Sequence, residues 1–225
     1  MRTHPLTDLK AFEIIDNRGT PTIRVAACID DRFWGSADVP SGSSTGSYEA
    51  LEMRDGGARY RGKGVLQAIE NIHGIILPEL RGKDAVNQSA IDSLMLELDG
   101  TENKSYLGGN AILGVSLAVA KAAAIASGKP LYTYLNADAH VLPVPQACLL
   151  NGGVHAGNDL DIQEFCVMPT GAQSFAESVQ ILCETFYSLK DILLARLGKA
   201  ATNSGEDGGF APPISSTRQS MDLVM

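Results

Sequence analysis

Thr22-Ile23-Arg24-Val25-Ala26-Ala27-Cys28-Ile29 decides the class of the first domain. Ile23, Val25, Ala27 and Ile29 alternate with Thr22, Arg24, Ala26 and Cys28, the two-residue period of a half-buried strand. Asp30-Asp31 follows as a turn, Phe33 to Val39 supplies a partner strand, and Phe12 to Ile15 supplies a third. Beyond a Ser/Gly loop the period lengthens to that of a helix. Val65, Ile69, Ile72 and Ile76 share one helical face that exits at Pro78. Ile91, Leu94, Met95 and Leu98 share another, closed by Asp99-Gly100. A third helix, rich in alanine, is predicted from Asn110 to Ser127, with Gly128 as its C-terminal cap and Pro130 just beyond. Strands followed by a block of helices predict an α+β domain, a β-meander plus helices, over residues 1–140.

Residues 141–225 read differently. Val141-Leu142-Pro143-Val144-Pro145 is a linker or strand entry, and Ala147 to Leu150 and Ile162 to Met168 are two short buried strands. A helix is predicted from Ser174 to Leu197, with Phe175, Val179, Leu182, Phe186, Leu189 and Leu193 along one side. Ser216 to Met225 begins as a capped helix. These are the first pieces of a strand-and-helix layer, far short of the roughly 250 residues of a complete β/α barrel.

Composition narrows the function classes. A chain of 225 residues, 44% hydrophobic, can bury a substantial core in one or two domains. Its net charge of −8 argues against a nucleic-acid surface, which usually carries a basic patch. Met1 to Asp8 lacks the apolar core of a signal peptide. The most apolar run, Ala111 to Ala120, is interrupted by Lys121 and is too short to span a bilayer. The expectation is a cytoplasmic protein with no nucleic-acid and no membrane partner. Cys28, Cys148, Cys166 and Cys183 form no Cys-x-x-Cys pair, so they read as buried, reduced thiols. A zinc site joining them with His73 or His140 lacks metal-ligand spacing.

Three stretches carry residues suited to chemistry. Leu150-Asn151-Gly152-Gly153-Val154-His155-Ala156-Gly157-Asn158, with Gln163-Glu164-Phe165 shortly after, gathers an imidazole, amides and a carboxylate around glycine-rich backbone. From the residues alone, His155 either caps a loop or faces a ligand. Gln163 and Glu164 are neighbours on a strand and point to opposite faces unless the strand end is irregular. Asp159 and Asp161 lack the glycine of a calcium loop and read as solvated acids. The second stretch, Ser41-Gly42-Ser43-Ser44-Thr45-Gly46, is by composition a flexible connection and is not a nucleotide-binding loop. The third is Leu98-Asp99-Gly100-Thr101-Glu102-Asn103-Lys104.

Together these stretches resemble enolase, the phosphopyruvate hydratase family, from about Phe12 to about Pro213. The resemblance implies an amino-terminal α+β domain followed by the beginning of an incomplete enolase-type β/α barrel. It also implies dehydration of 2-phosphoglycerate to phosphoenolpyruvate in glycolysis, by a Mg²⁺-dependent carbon–oxygen lyase of which this chain is the amino-terminal part. On that likeness the loop at 41–46 is a lid over substrate, and Ser44 gives oxygen ligands to a second Mg²⁺. His155, Glu164 and Gln163 contact substrate. The main Mg²⁺ carboxylates and the lysine base fall beyond Met225, so the chain alone is expected to be inactive.

Two departures stand out. Enolases typically carry Gly-Asp-Glu-Gly-Gly, whose Glu helps protonate the departing hydroxyl, whereas this chain has Gly205-Glu206-Asp207-Gly208-Gly209. Either Asp207 holds the catalytic position with a side chain one methylene shorter, or Glu206 turns into it. Arg24 stands where relatives usually have an acid that helps pair subunits, which weakens the expected homodimer. These departures favour a competing reading, a non-catalytic enolase-like binding protein.

Overall fold

A computed structural model describes residues 3–42 and 44–225. Met1 and Arg2 of the amino-terminal stretch, and Ser43 of the Ser/Gly loop, lie outside the described residues. The chain divides into two compact units, Met1–Ala139 and His140–Met225.

The first unit opens with a three-stranded antiparallel meander in the order β1-β2-β3, with β1 at Leu6–Ile15, β2 at Pro21–Ile29 and β3 at Phe33–Asp38. The core face of β2 is realised, with Ile23, Val25, Ala27 and Ile29 fully buried, but of the alternate residues only Arg24 is exposed, since Thr22 and Cys28 are buried and Ala26 half-buried. β1 starts six residues earlier than Phe12, because Leu6, Leu9 and Ala11 also reach the core. A register shift between Leu6 and Asp8 hides that face from a strict two-residue period.

Asp30 and Asp31 turn β2 into β3 with both φ angles positive, 55° and 54°, and Arg32 N–H donates to Ile29 O at 3.1 Å. This is the mirror-image turn that matches strand twist and favours glycine. Asp30 has a separate task, accepting from His4 Nδ1 at 2.7 Å, whereas the Asp31 side chain is exposed. Asp31→Gly is therefore expected to raise stability by about 0.5–1 kcal/mol, read as a higher urea midpoint at unchanged slope.

Several helical segments follow before the longest helix of this unit. α1 (Leu66–Asn71) runs through a π-turn at Ile72–Ile76 into α2 (Leu77–Leu80), and α3 spans Gln88–Asp99. The helical path thus continues past Pro78, where the sequence had placed its exit. Leu77 N–H donates to Ile72 O, so the widened turn falls just before the residue that has no N–H to give. α3 begins with the Asn87 side chain accepting from Ala90 N–H and ends at Gly100, whose φ of 63° suits glycine.

α4 (Gly109–Ala126) is the central helix, packed across β2 and β3. It is eighteen residues, longer than the apolar run read from the sequence, and by length and composition alone it could cross a membrane. Ala111, Ala118, Ala122 and Ala123, with Ile112, Val115 and Val119, are buried in the core of the unit. Gly35 on β3 and Gly114 on α4 let the two backbones approach, because a Cβ at Gly35 would collide with α4 and one at Gly114 with the sheet side chain of Val25. After Gly128, Pro130 is the N-cap of a short helix, α5 (Leu131–Leu135), that periodicity did not reveal.

The second unit contains β4 (Ala147–Asn151), β5 (Glu164–Val167), α6 (Phe175–Leu197) and α7 (Thr217–Val224). β4 and β5 pair antiparallel, as a loop without a crossover helix requires. After α6 the chain returns beside β4 in parallel, with Phe210 bridging Leu150. Two strands, a long helix and a returning segment are the order expected for the beginning of an incomplete β/α barrel, and the described strands do not close one. Ser174 caps α6 by accepting from Glu177 N–H. Leu182, Leu189 and Leu193 are buried, and Phe186 stacks on Phe210 with centroids 4.4 Å apart. Phe175 and Val179, predicted on the same stripe, are exposed in the first turns of the helix.

Candidate active site

The carboxyl end of β4 and the 204–210 loop, through which the chain returns beside it at Phe210, build one cluster. Gly152 must be glycine, since a Cβ there would lie 2.2 Å from Ile162 O. The chain then makes a tight turn at Gly153–His155 and delivers the His155 ring into a buried position. The second loop is fastened to it, with Glu206 N–H donating to His155 O at 2.9 Å and Gly205 N–H to Gly209 O at 2.8 Å. Gly205 packs so closely on Asn151 and on His155 O that a Cβ would stand within 2.9 Å of both. Asn158 ties the far side by donating from Nδ2 to Asn151 O and Pro212 O, each at 3.0 Å.

Within this frame His155 Nδ1 is 3.3 Å from Asp207 Oδ2 and 3.9 Å from Glu206 Oε2. Asp207 is the inner acid, with its side chain 28% exposed against 45% for Glu206. Its Oδ2 also accepts from Asn151 Nδ2 at 3.0 Å and from Gln163 Nε2 at 3.3 Å. Gln163 Nε2 reaches Glu164 Oε1 at 3.1 Å as well. Gln163 lies just before β5, where the backbone bends, so the opposite-face rule for strand neighbours does not separate the two. His155, Gln163, Glu164, Glu206 and Asp207 are thus brought into one group.

Asn151 is the member that the sequence reading did not single out. It is completely buried, and its amide joins Asp207 to the Gln163 carbonyl. Its place at the end of β4 and the start of the glycine-rich turn is the signal that could have marked it. Asp159 and Asp161 are exposed, as solvated acids should be.

The cysteines depart from the expectation of buried thiols. Cys28 is buried, Cys148 and Cys166 are half-buried, and Cys183 is exposed on α6. Cys148 and Cys166 face each other across β4 and β5. Burial, followed by the charges of Cys166, Glu164 and Asp207, pushes the Cys148 thiol up to about 11. His73, one of the histidines considered with them for zinc, is engaged elsewhere, its Nε2 accepting from Ala11 N–H.

Ser44 lies in the first unit, exposed, on the loop after β3. The root of that loop is anchored. Ser41 Oγ donates to Asp16 Oδ2 at 3.0 Å, and Arg18 Nη2 donates to Ser41 O at 2.6 Å. Burial works to raise the Asp16 carboxyl, but the N–H groups of Thr20 and Arg18, the Ser41 hydroxyl and the Arg18 guanidinium hold it down at about 2. Because the folded value is depressed, this contribution is present above about pH 4 and is lost as pH falls toward about 2. Asp16→Asn is expected to cost about 1–2 kcal/mol at neutral pH after allowance for solvent screening, with the gap to wild type closing on acidification. Urea titrations of both proteins across that range measure it.

Downstream of the loop, Ser47 to Ala50 and Glu102 to Lys104 line a cavity of about 600 Å³. Asp99 ties the segment that carries Glu102 to Lys104 by accepting from Thr101 N–H at 3.0 Å and Leu107 N–H at 2.7 Å.

Arg24 is held within its own chain. It sits opposite Asp38 in the β2–β3 register and forms a two-pronged ion pair with it at 2.5 and 2.7 Å. That pairing, led by the Arg24 hydrogen bond, holds the Asp38 carboxyl below its ordinary value.

Among the described residues, the one group of three His, Cys, Asp or Glu side chains placed to share a metal is Cys148, Glu164 and Cys166. Two sulfurs do not suit Mg²⁺, which takes oxygen ligands. That group is therefore not a site for the Mg²⁺ that the resemblance implies, and Ser44 offers a single hard donor.

A strand meander with helices, followed by the opening strands of a barrel whose loops carry histidine, amide and paired acids, defines an enolase-type two-domain protein. Residues 6–135 match the family model for the enolase N-terminal domain, and residues 139–225 match that for the enolase C-terminal TIM barrel domain. The chain belongs to the enolase family. It is 54% identical over 221 residues to the protein named Enolase from Thermococcus kodakarensis, covering 98% of this chain and 51% of that relative. It is 56% identical over 218 residues to the Enolase of Methanothrix thermoacetophila, covering 96% and 52% respectively. The chain spans about half the length of the curated relatives it matches.

Proposed function

We propose that this chain is the amino-terminal part of an enolase that dehydrates 2-phosphoglycerate to phosphoenolpyruvate in the glycolysis of the cytoplasm. The observation that carries the reading is the placement of Asp207 3.3 Å from His155 Nδ1 and within hydrogen-bond reach of Asn151 and Gln163. Loss of the 3-hydroxyl needs an acid at the leaving oxygen, and a carboxyl group fixed beside an imidazole and two amides is suited to supply that proton. Glu164, at the cluster rim, is a second carboxyl for the same end of the substrate, and Gln163 orients it through its amide. Ser44 belongs to the lid of this reading.

In this reading the Mg²⁺ is met mainly by carboxylates that follow Met225 in the whole enzyme, as does the lysine base. This chain by itself is accordingly inactive. A homodimer belongs to the same reading, although Arg24, occupied by its own Asp38, offers no acid to a partner. The exchanged order Glu206-Asp207 favours the alternative, a non-catalytic enolase-like binding protein. Thermal unfolding with 2-phosphoglycerate and Mg²⁺ tests the choice in protein extended through the rest of the reading frame. Saturable stabilisation with turnover supports the lyase, whereas neither effect supports the binding protein.

A further inference from the structure

The facing thiols of β4 and β5 have no task in the chemistry above. The strand register sets Cys148 directly opposite Cys166, and Glu164 lies two residues before Cys166 on the same face of β5. The two Sγ atoms and a Glu164 carboxylate oxygen all lie within 4.8 Å of one another. Tetrahedral Zn²⁺, with Zn–S of about 2.3 Å and Zn–O of about 2.0–2.2 Å, holds its donors roughly 3.5–3.8 Å apart. The three groups need to close by about 1.3 Å at most to meet that spacing.

We propose that Cys148, Cys166 and Glu164 form a binding site for a thiophilic divalent cation, Zn²⁺ above all, with water completing the tetrahedron. The donor set selects the ion, since thiolates favour Zn²⁺ over the hard cations Mg²⁺ and Ca²⁺. The present contacts of the sulfurs are weak and replaceable. Cys166 Sγ donates to Glu164 Oε2 at 3.4 Å, and Cys148 Sγ donates to Leu150 O at 3.5 Å. Both thiols are half-buried and Glu164 is exposed, which leaves the solvent side for the fourth ligand. The anionic groups crowded around Cys148, including Asp207, are a further attraction for a cation. Binding does not depend on the lyase reading. One consequence does: a bound Zn²⁺ holds Glu164 away from Gln163 and the substrate end of the cluster.

Titration of the full, reduced chain with Co²⁺ and then Zn²⁺ tests the site. The expected result is one equivalent of Co²⁺ giving tetrahedral visible bands and a sulfur-to-cobalt charge-transfer band, both abolished by Zn²⁺. Cys148→Ser and Cys166→Ser each remove the charge-transfer band or weaken binding by about tenfold or more, and Glu164→Gln weakens binding; Cys28→Ser and Cys183→Ser leave it unchanged. A measurement on the wild-type chain guards against variants that fail to fold. Zn²⁺ should slow alkylation of Cys148 and Cys166 but not of Cys183, read by peptide mass mapping. Absence of the charge-transfer band, its survival in both Cys148→Ser and Cys166→Ser, or equal alkylation with and without Zn²⁺ overturns the proposal.

Discussion

Gly35→Ala is expected to lower the stability of the amino-terminal unit by about 3 kcal/mol or more, and Gly35→Val to prevent its folding. An added Cβ would lie 2.1 Å from the backbone nitrogen of Ala122 and 2.7 Å from both Ala122 Cα and the Lys121 carbonyl carbon. These are backbone atoms of α4, which have no rotamer to change. Relief comes only if the whole helix lifts from the sheet, and that uncovers Val25, Ala27 and the alanine face of α4. Domains of this size are stable by only about 5–15 kcal/mol, so such a loss is a large fraction of the total. Gly74→Ala is the control. Nothing lies within 4 Å of a Cβ built there, and that variant should unfold at or above the wild-type midpoint. Urea titration followed by circular dichroism compares all three. A Gly35→Ala midpoint equal to wild type would mean that α4 does not lie in contact with β3.

The second large effect concerns the exchanged acids. In protein that carries the rest of the barrel, Asp207→Asn is expected to lower turnover by about 10²–10⁴-fold, the usual contribution of a general acid, while Glu206→Gln changes it by less than about tenfold. The asymmetry follows from geometry. Asp207 is the more buried acid and is held by Asn151, Gln163 and the His155 ring, whereas Glu206 is farther from the ring and more exposed. The shorter aspartate does not end up remote, because Gly205 packs directly on Asn151 and brings the loop inward. Asp207→Glu is the third arm. It restores the family's residue type at this position but adds a methylene where Asn151 and Gln163 already close on the carboxylate, so it should keep more activity than Asp207→Asn. A larger loss from Glu206→Gln than from Asp207→Asn would reverse the assignment.

Much of the framework was legible because local chemistry and tertiary packing agree. The alternation in β2, the Ser174 cap of α6 and the Gly100 and Gly128 ends of α3 and α4 each mark their element. The exit at Pro78 misled because a π-turn is invisible to a 3.6-residue period. α5, with five residues, is too short to show any period. At the candidate site, the residue types were plain but their company was not. His155 and Asp207 are 52 positions apart, and only the return of the chain beside β4 joins them. Register was the other hidden quantity. It puts Arg24 against Asp38 and Cys148 against Cys166, pairings that strand patterns alone do not fix. The grouping of His155, Gln163 and Glu164 was reached through the likeness to enolase rather than through spacing.

The central claim is that these residues serve a lyase completed by further barrel segments. Its most direct test is to sequence the transcript through and beyond the codon for Met225, express the whole frame, and assay 2-phosphoglycerate turnover with Mg²⁺. The account predicts an open frame that adds acidic ligands and a lysine base, and phosphoenolpyruvate formation that depends on Asp207. A stop codon directly after Met225, or a complete barrel that forms no phosphoenolpyruvate, would contradict it and leave binding as the function of the chain.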